Sequence, residues 1–159
     1  IVISLDTATL KPSSIKQFRM REKKKKKKKK DIESKKDIEL LVNEFYAKVK
    51  ADETIGYIFT DIAKVNWEKH LPVMYNFWEN TLFYTGTYEG NPMELHKHLH
   101  RLMPLRTEHF KQWNYLFCKT VDALFKGPNA KLAKQRAISI STVMQIKILN
   151  EYSPVDKIY

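Results

Sequence analysis

The spacing of apolar residues from position 37 onward is helical almost throughout, and this pattern restricts the fold more than any other feature of the sequence. Apolar side chains recur every three or four residues, and no segment alternates apolar and polar residues as a half-buried strand does. Only four glycines interrupt the chain. Since 43% of its 159 residues are hydrophobic, one domain can bury a sizeable core. We therefore predict an all-α domain over residues 34–152.

Capping and turn residues divide this domain into five helices. The predicted ranges are 37–50, 65–84, a short helix that starts at 92, 107–125 and 129–150. Asp37 is the expected cap of the first helix, and Pro92 takes the favoured first position of the third. Pro72 falls in the first two turns of the second helix, where its missing N–H is least costly. Residues 51–61 are expected to form a loop and a short turn.

The basic residues are concentrated at the start of the sequence. Residues 1–30 contain 12 Lys and Arg against 2 Asp and Glu, whereas the remainder contains 17 against 16. The centre of this region is an uninterrupted lysine run at 23–30, whose like charges repel one another. We expect residues 1–33 to form a disordered basic tail and residues 153–159 a C-terminal tail. Met20 is a candidate for the true start of translation.

Membrane, secretory and disulfide features are not found in the sequence. It has no apolar run of about 18 residues, and its start lacks a short apolar core with a cleavage signature. We therefore expect a cytoplasmic protein with no membrane partner. Cys118 is the only cysteine, which excludes an intrachain disulfide and a thiolate metal cluster.

The histidines lie in one part of the chain, at positions 70, 96, 98, 100 and 109. On the short third helix, His96 has Met93 three residues before it and Leu99 three residues after it, so its ring is expected to face an apolar surface. His98 and His100 have charged residues or proline at helical spacing. A single histidine on an apolar face is most often a hydrogen-bonded core residue. His96 is nevertheless the best candidate for a buried imidazole with a function.

Three other polar rings make a functional role for His96 more plausible. His70 lies one helical turn from Trp67, Tyr46 lies at the edge of the apolar face of the first helix, and Trp113 is expected to face inward. A buried tyrosine or tryptophan brings a polar hydrogen that needs a partner. Such groups in one core indicate a bound polar ligand, and a lone imidazole with no cysteine nearby suits an iron porphyrin.

A set of short motifs extends over the region from about Asp37 to Lys147. They are Phe45-Tyr46, Gly56-x-Ile58-Phe59, Trp67-x-x-His70, Phe77-Trp78-Glu79, Gly90-Asn91-Pro92-Met93-x-x-His96, His109-Phe110-x-x-Trp113 and Arg136-Ala137. In combination they resemble the group III truncated haemoglobins. The absence of paired glycines before and after the second helix also agrees with this group. The resemblance implies a shortened globin, the two-over-two helical sandwich.

The resemblance also implies a role for each matching residue. His96 corresponds to the proximal ligand of haem iron, and Tyr46, His70 and Trp113 correspond to the distal residues that face a bound ligand. The segment between His96 and His109 is longer than in some members of the family. Four further residues are expected to contact the haem: Phe59, Met74, Trp78 and Met93.

A globin of this kind is expected to hold haem b without covalent bonds, because the sequence has no Cys-x-x-Cys-His motif. With one imidazole ligand, the sixth position of the iron stays open for dioxygen, nitric oxide or carbon monoxide. Polar distal donors favour tight oxygen binding, or redox chemistry such as nitric oxide dioxygenation or peroxidase-like turnover, over transport. The expected partners are diatomic ligands and an unidentified reductase. A monomer is expected.

Two other classes of protein are compatible with the residues themselves. His96, His98 and His100 have a spacing at which a helix can bind zinc. Alternatively, the lysine tail could direct a helical bundle to nucleic acid, although the almost neutral remainder of the chain disfavours this.

Overall fold

The computed structural model describes residues 28–151, and within them it contains helices and no strands. The α-helices are α1 (Lys35–Ala51), α2 (Trp67–Phe83), α3 (Pro92–Leu102), α4 (Thr107–Leu124) and α5 (Pro128–Glu151), with a π-helical turn at Ile58–Ile62. The all-α prediction is confirmed. The predicted tail segments 1–27 and 153–159 lie outside the described residues.

The helices are arranged as two packed pairs. Helix α1 packs against α2, and α4 packs against α5; α1 also contacts α4, and α2 contacts α5. The short helix α3 contacts α5. This is the two-over-two sandwich that the family resemblance implied. Its core contains large side chains from three helices, with Phe45, Trp78 and Phe117 almost completely buried.

Helix α1 begins earlier than predicted, because Ser34 and not Asp37 is its N-cap. The Ser34 hydroxyl accepts a hydrogen bond from the Asp37 backbone N–H at 3.3 Å, and the Asp37 carboxylate accepts one from the Ser34 N–H at 3.1 Å. These reciprocal bonds form a capping box, in which Asp37 occupies the third helical position. The sequence contains both residues of the box, and our prediction chose the wrong one as the cap.

The boundary predicted at residue 33 lies too late in the chain, because residues 31 and 32 contact the start of α5. The Asp31 carboxylate accepts hydrogen bonds from the backbone N–H groups of Asn129 and Ala130 at 2.9 and 2.8 Å. Ile32 is fully buried. A side chain at Gly127 would collide with Asp31, so this close approach requires glycine. Asp31 therefore caps a distant helix and joins this segment to the domain.

The segment between α1 and α2 is more regular than the loop predicted for residues 51–61. One carboxylate oxygen of Asp52 accepts hydrogen bonds from the N–H groups of Thr54 and Ile55, at 2.9 and 3.0 Å. The π-helical turn follows, with a bond of 2.8 Å from the Ala63 N–H to the Ile58 carbonyl. It places Phe59 beside the first residues of α2.

Asparagine caps mark the starts of α2 and α3, and a histidine side chain bonds the backbone beyond the end of α3. Asn66 and Asn91 accept hydrogen bonds from the first turns of α2 and α3, at 3.2 and 3.3 Å. The His100 ring accepts a bond from the Leu105 N–H at 2.9 Å, just beyond the end of α3. Histidine at this position therefore stabilises the turn between α3 and α4.

None of the helices within residues 28–151 has both the length and the apolar composition that crossing a bilayer requires.

Candidate functional site

His96 lies on α3, and its ring is fixed by the helix that carries it. Its Nδ1 is 2.6 Å from the carbonyl oxygen of Pro92, one turn earlier. Because a carbonyl only accepts, Nδ1 is the donor and Nε2 keeps its lone pair. Burial lowers the pKa of His96, and the bond to Pro92 opposes this only in part. The geometry therefore presents a neutral imidazole with a defined tautomer.

His70 lies on α2, with its Nε2 buried and with no hydrogen-bond partner among the described residues. Burial lowers the pKa of His70, and the proximity of His96 lowers it further. The second effect shows that the two imidazoles, from different helices, lie within electrostatic range of one another. The family resemblance assigns these two histidines to opposite sides of one site, and the electrostatic effect of His96 on His70 agrees with such an arrangement.

Tyr46 is the centre of an aromatic cluster that includes His70. Its ring centroid is 5.2 Å from that of His70, 5.5 Å from that of Trp67 and 6.0 Å from that of Phe59. Burial raises the pKa of the Tyr46 phenol well above its usual value. The phenol therefore stays protonated at neutral pH and can donate a hydrogen bond.

Trp113 lies in a second cluster, which is joined to the first through Phe45. Its ring is parallel to that of Phe117, at 5.5 Å, and Phe117 in turn stacks on Trp78 at 4.4 Å. Phe45 contacts both Trp113, at 5.2 Å, and Tyr46, at 4.9 Å. The indole Nε1 of Trp78 is buried and has no hydrogen-bond partner within the described chain. Tyr46 and His70 are in direct ring contact, whereas the ring contacts of the described residues connect Trp113 to Tyr46 through Phe45.

The two methionines predicted to contact a cofactor lie in different surroundings. Met74 is partly buried and packs against the core from α2. Met93 lines an apolar cleft of about 270 Å³ between α3 and α5, together with Ile140 and Met144. Only Met74 is thus on the helix that carries His70, while Met93 is one turn before His96.

The zinc alternative does not agree with the arrangement of α3. His98 is exposed, and the Nδ1 of His100 already accepts the bond from Leu105. Within residues 28–151 there is no group of three or more histidine, cysteine, aspartate or glutamate residues that could hold a metal ion. Of the three histidines on this helix, His96 is the one whose partly buried ring donates from Nδ1 to a backbone carbonyl and so leaves Nε2 unprotonated.

The rings of Tyr46, Phe59, Trp67 and His70 form one group, the distal cluster. Lys50, which was not predicted from the sequence, lies beside it. Its ammonium nitrogen lies 4.9 Å from the ring centroid of Trp67, in a cation–π contact. The only signal in the sequence is that Lys50 follows Tyr46 by one helical turn. That spacing places both residues on one face of α1 but does not identify Trp67 as the partner.

Comparisons with known proteins place this chain in a family. No family model matches the sequence. The chain is 30% identical over 115 residues to the group 3 truncated hemoglobin ctb of Campylobacter jejuni, a match that covers 70% of this chain and 88% of that protein. This chain belongs to the group III truncated haemoglobins.

The fold of this truncated haemoglobin agrees with a solved structure of the same group. The crystal structure of the group III truncated hemoglobin from Campylobacter jejuni superposes with a TM-score of 0.68 at 27% sequence identity. The match covers 79% of this chain and 98% of that one. The family resemblance predicted from the sequence motifs is thus confirmed.

Proposed function

We propose that this truncated haemoglobin binds haem b without covalent attachment, with His96 as the protein ligand of the iron. In this proposal a diatomic ligand such as dioxygen binds on the side of Tyr46 and His70. The observation that carries the proposal is the Nε2 of His70, which is buried and has no hydrogen-bond partner among the described residues. His96, on another helix, acts electrostatically on His70, and its Nδ1 is already bonded to the Pro92 carbonyl.

The state of His96 is the one that iron ligation needs. An imidazole binds a metal through an unprotonated nitrogen, and a hydrogen bond from its other nitrogen fixes the ring orientation and raises its basicity. The bond from Nδ1 to the Pro92 carbonyl supplies this second interaction. Burial keeps the ring neutral by lowering its pKa. No other described histidine combines these features.

The buried polar atoms of the site also fit a haem and its ligand. A buried nitrogen without a partner is unfavourable by about 1–3 kcal/mol, and a protein normally satisfies such groups. Both the Nε2 of His70 and the Nε1 of Trp78 are in this condition. A polar group bound beside α2 would form a hydrogen bond with the Nε2 of His70. Such a ligand explains why a histidine is tolerated at position 70.

Bound haem supplies an iron atom with one open coordination position, at which a diatomic ligand acquires partial negative charge. The role of this chain is to orient that ligand and stabilise its charge. The protonated phenol of Tyr46 is a donor, and the Nε2 of His70 lies beside it on the neighbouring helix. We propose these two groups as the distal donors, with Trp113 as a more remote contributor.

The remaining aromatic and sulfur-containing side chains exclude water from the site. Phe59 and Trp67 are stacked, with centroids 6.2 Å apart, beside Tyr46. Trp78 stacks on the core residue Phe117. We assign Phe59, Trp67 and Trp78 to the walls of the haem pocket, together with Met74 and Met93. A dry pocket strengthens each hydrogen bond to the bound ligand.

Strong distal donors favour slow oxygen release. Hydrogen bonds to a charged group contribute about 1.5–3 kcal/mol each, so two of them slow dissociation by orders of magnitude. We therefore propose tight oxygen binding, or redox chemistry with nitric oxide or peroxide supported by a reductase, in preference to oxygen transport.

An absorption spectrum of the protein reconstituted with haemin tests the proposal. We expect a Soret band that shifts when dithionite and carbon monoxide are added, and that is lost or strongly altered in His96→Ala. His98→Ala is the matched control, since it removes an exposed imidazole from the same helix, and its spectrum should equal that of the wild type. A wild-type protein that binds no haem, or a His96→Ala variant with an unaltered spectrum, would refute the assignment.

A further inference from the structure

Trp67, the first residue of α2, lies between the protein surface and the distal cluster. Its half-buried ring contacts Tyr46 at 5.5 Å, His70 at 5.9 Å and Phe59 at 6.2 Å, the last in a stacked arrangement. Lys50 is exposed, and its ammonium nitrogen lies 4.9 Å from the centroid of the same ring. The indole thus separates a surface cation from the buried Nε2 of His70.

The first turn of α2 has fewer hydrogen bonds than an ordinary helical turn. Pro72 has no N–H, so the carbonyl of Glu68 lacks its usual partner four residues later. Before the helix, Lys64 has a φ of 48°, in the left-handed region that a lysine rarely adopts. The Asn66 cap and the packing of Trp67 must therefore hold the turn in place.

We propose that Trp67, held in place by Lys50, is a gate through which diatomic ligands enter and leave the distal pocket. The gate rests on the proposed function, because it presupposes a ligand on the side of Tyr46 and His70. Displacing one partly exposed ring uncovers a direct route from solvent to His70. The cation–π contact and the stack on Phe59 oppose this displacement. Trp67 is a positioning residue and makes no bond to the ligand.

A gate and a hydrogen-bond donor have different kinetic signatures. Opening a gate more often raises the rates of ligand association and dissociation by the same factor and leaves the affinity unchanged. Loss of a donor raises the dissociation rate alone. Carbon monoxide is the better probe of the gate, because it carries little charge when bound and depends less on distal donors than dioxygen does.

The test is to measure carbon monoxide association after flash photolysis, and dissociation by ligand replacement, in Lys50→Met and Trp67→Leu. Methionine keeps an apolar stem over the indole and removes the cation, so we expect both rates to rise roughly two- to fivefold in Lys50→Met. A larger parallel rise is expected in Trp67→Leu. Lys69→Met is the matched control, because it removes an exposed cation from the first turn of α2, which also carries Trp67, and its rates should remain those of the wild type.

A second measurement shows whether Lys50 acts through Trp67. In the nitrogen-15 spectrum of the diamagnetic carbon monoxide form, Trp67→Leu identifies the indole N–H signal of Trp67. That signal should move in Lys50→Met more than the signals of Trp78 and Trp113. Lys50→Met also keeps the proposal testable if Trp67→Leu does not fold.

The failures of the two proposals are distinguishable. A wild-type protein without a Soret band ends the proposed function. A normal Soret band with unchanged carbon monoxide rates in Lys50→Met and Trp67→Leu ends the gate alone. A rise in dissociation with no rise in association also overturns the gate, since it shows that Trp67 stabilises the bound ligand.

Discussion

Replacing His70 with leucine separates the contribution of its Nε2 to ligand binding from its contribution to folding. The Nε2 is buried and has no partner among the described residues, although its ring is in contact with Tyr46 and Trp67. Leucine has a similar volume, removes the nitrogen and cannot donate a hydrogen bond. We expect this variant to fold with nearly normal stability and to release oxygen much faster.

The expected effect on stability follows from two opposing terms. Removing an unsatisfied buried nitrogen stabilises the haem-free protein by about 1–3 kcal/mol. Losing the ring contacts of His70 with Tyr46 and Trp67, at 5.2 and 5.9 Å, destabilises it by about 0.5–1.5 kcal/mol for each contact. These terms are of equal size. The free energy of unfolding should therefore change by less than about 1 kcal/mol.

The expected effect on ligand release is larger. A hydrogen bond to the partial charge of bound oxygen contributes about 1.5–3 kcal/mol. If it is present in the bound state and absent in the transition state for release, its loss raises the dissociation rate roughly 10- to 150-fold. The conservative variant His70→Gln keeps a donor of similar reach, so its rate should lie closer to that of the wild type.

Urea denaturation of the haem-free protein measures the first effect, and stopped-flow oxygen dissociation from the ferrous protein measures the second. Two results would refute the reasoning. An oxygen dissociation rate within twofold of the wild type in a folded His70→Leu variant would show that His70 is not a distal donor. A loss of several kcal/mol in unfolding free energy would show that its ring contacts far outweigh the unsatisfied nitrogen.

Three further predictions follow from individual contacts. Tyr46→Phe should raise the oxygen dissociation rate on the order of tenfold. Trp113→Phe should raise it less, because the ring contacts of the described residues join Trp113 to Tyr46 through Phe45. Unchanged rates in both variants and in the double variant would eliminate the proposed hydrogen-bond network. Asp31→Ala should lower the free energy of unfolding by about 1–2 kcal/mol, since it removes the cap of α5; equal denaturation midpoints would contradict this role. Burial raises the pKa of Asp37, but the hydrogen bonds from Lys30 and the capping box outweigh this effect and hold it below the usual 3.8. A lowered pKa stabilises the fold above pH 3.8, and this contribution is lost as the pH falls through the folded value, so the stability difference between wild type and Asp37→Ala should shrink on acidification.

The parts of the fold that depend on local sequence were predictable. Apolar spacing predicted the α-helices of residues 35–151 to within a few residues, and Pro92 correctly marked the start of α3. The π-helical turn was not predicted, because its five residues make little more than one turn. So short a segment shows no periodicity of apolar residues in the sequence. The cap of α1 was misplaced because a capping box contains two residues of similar chemistry, and the pattern alone did not show which one precedes the helix.

The sequence by itself determined the helical class, the family and the orientation of His96. The helical class and the orientation of His96 depend on residues close together along the chain, such as the bond from His96 to Pro92 within a single turn. The family depends on short local motifs in combination along the chain. Only the tertiary structure decided that Asp31 caps α5, that Lys50 covers Trp67 and that Phe45 lies between Trp113 and Tyr46. Helical periodicity specifies which face of a helix is apolar. It does not specify which side chain of another helix lies opposite, because that depends on how the helices pack.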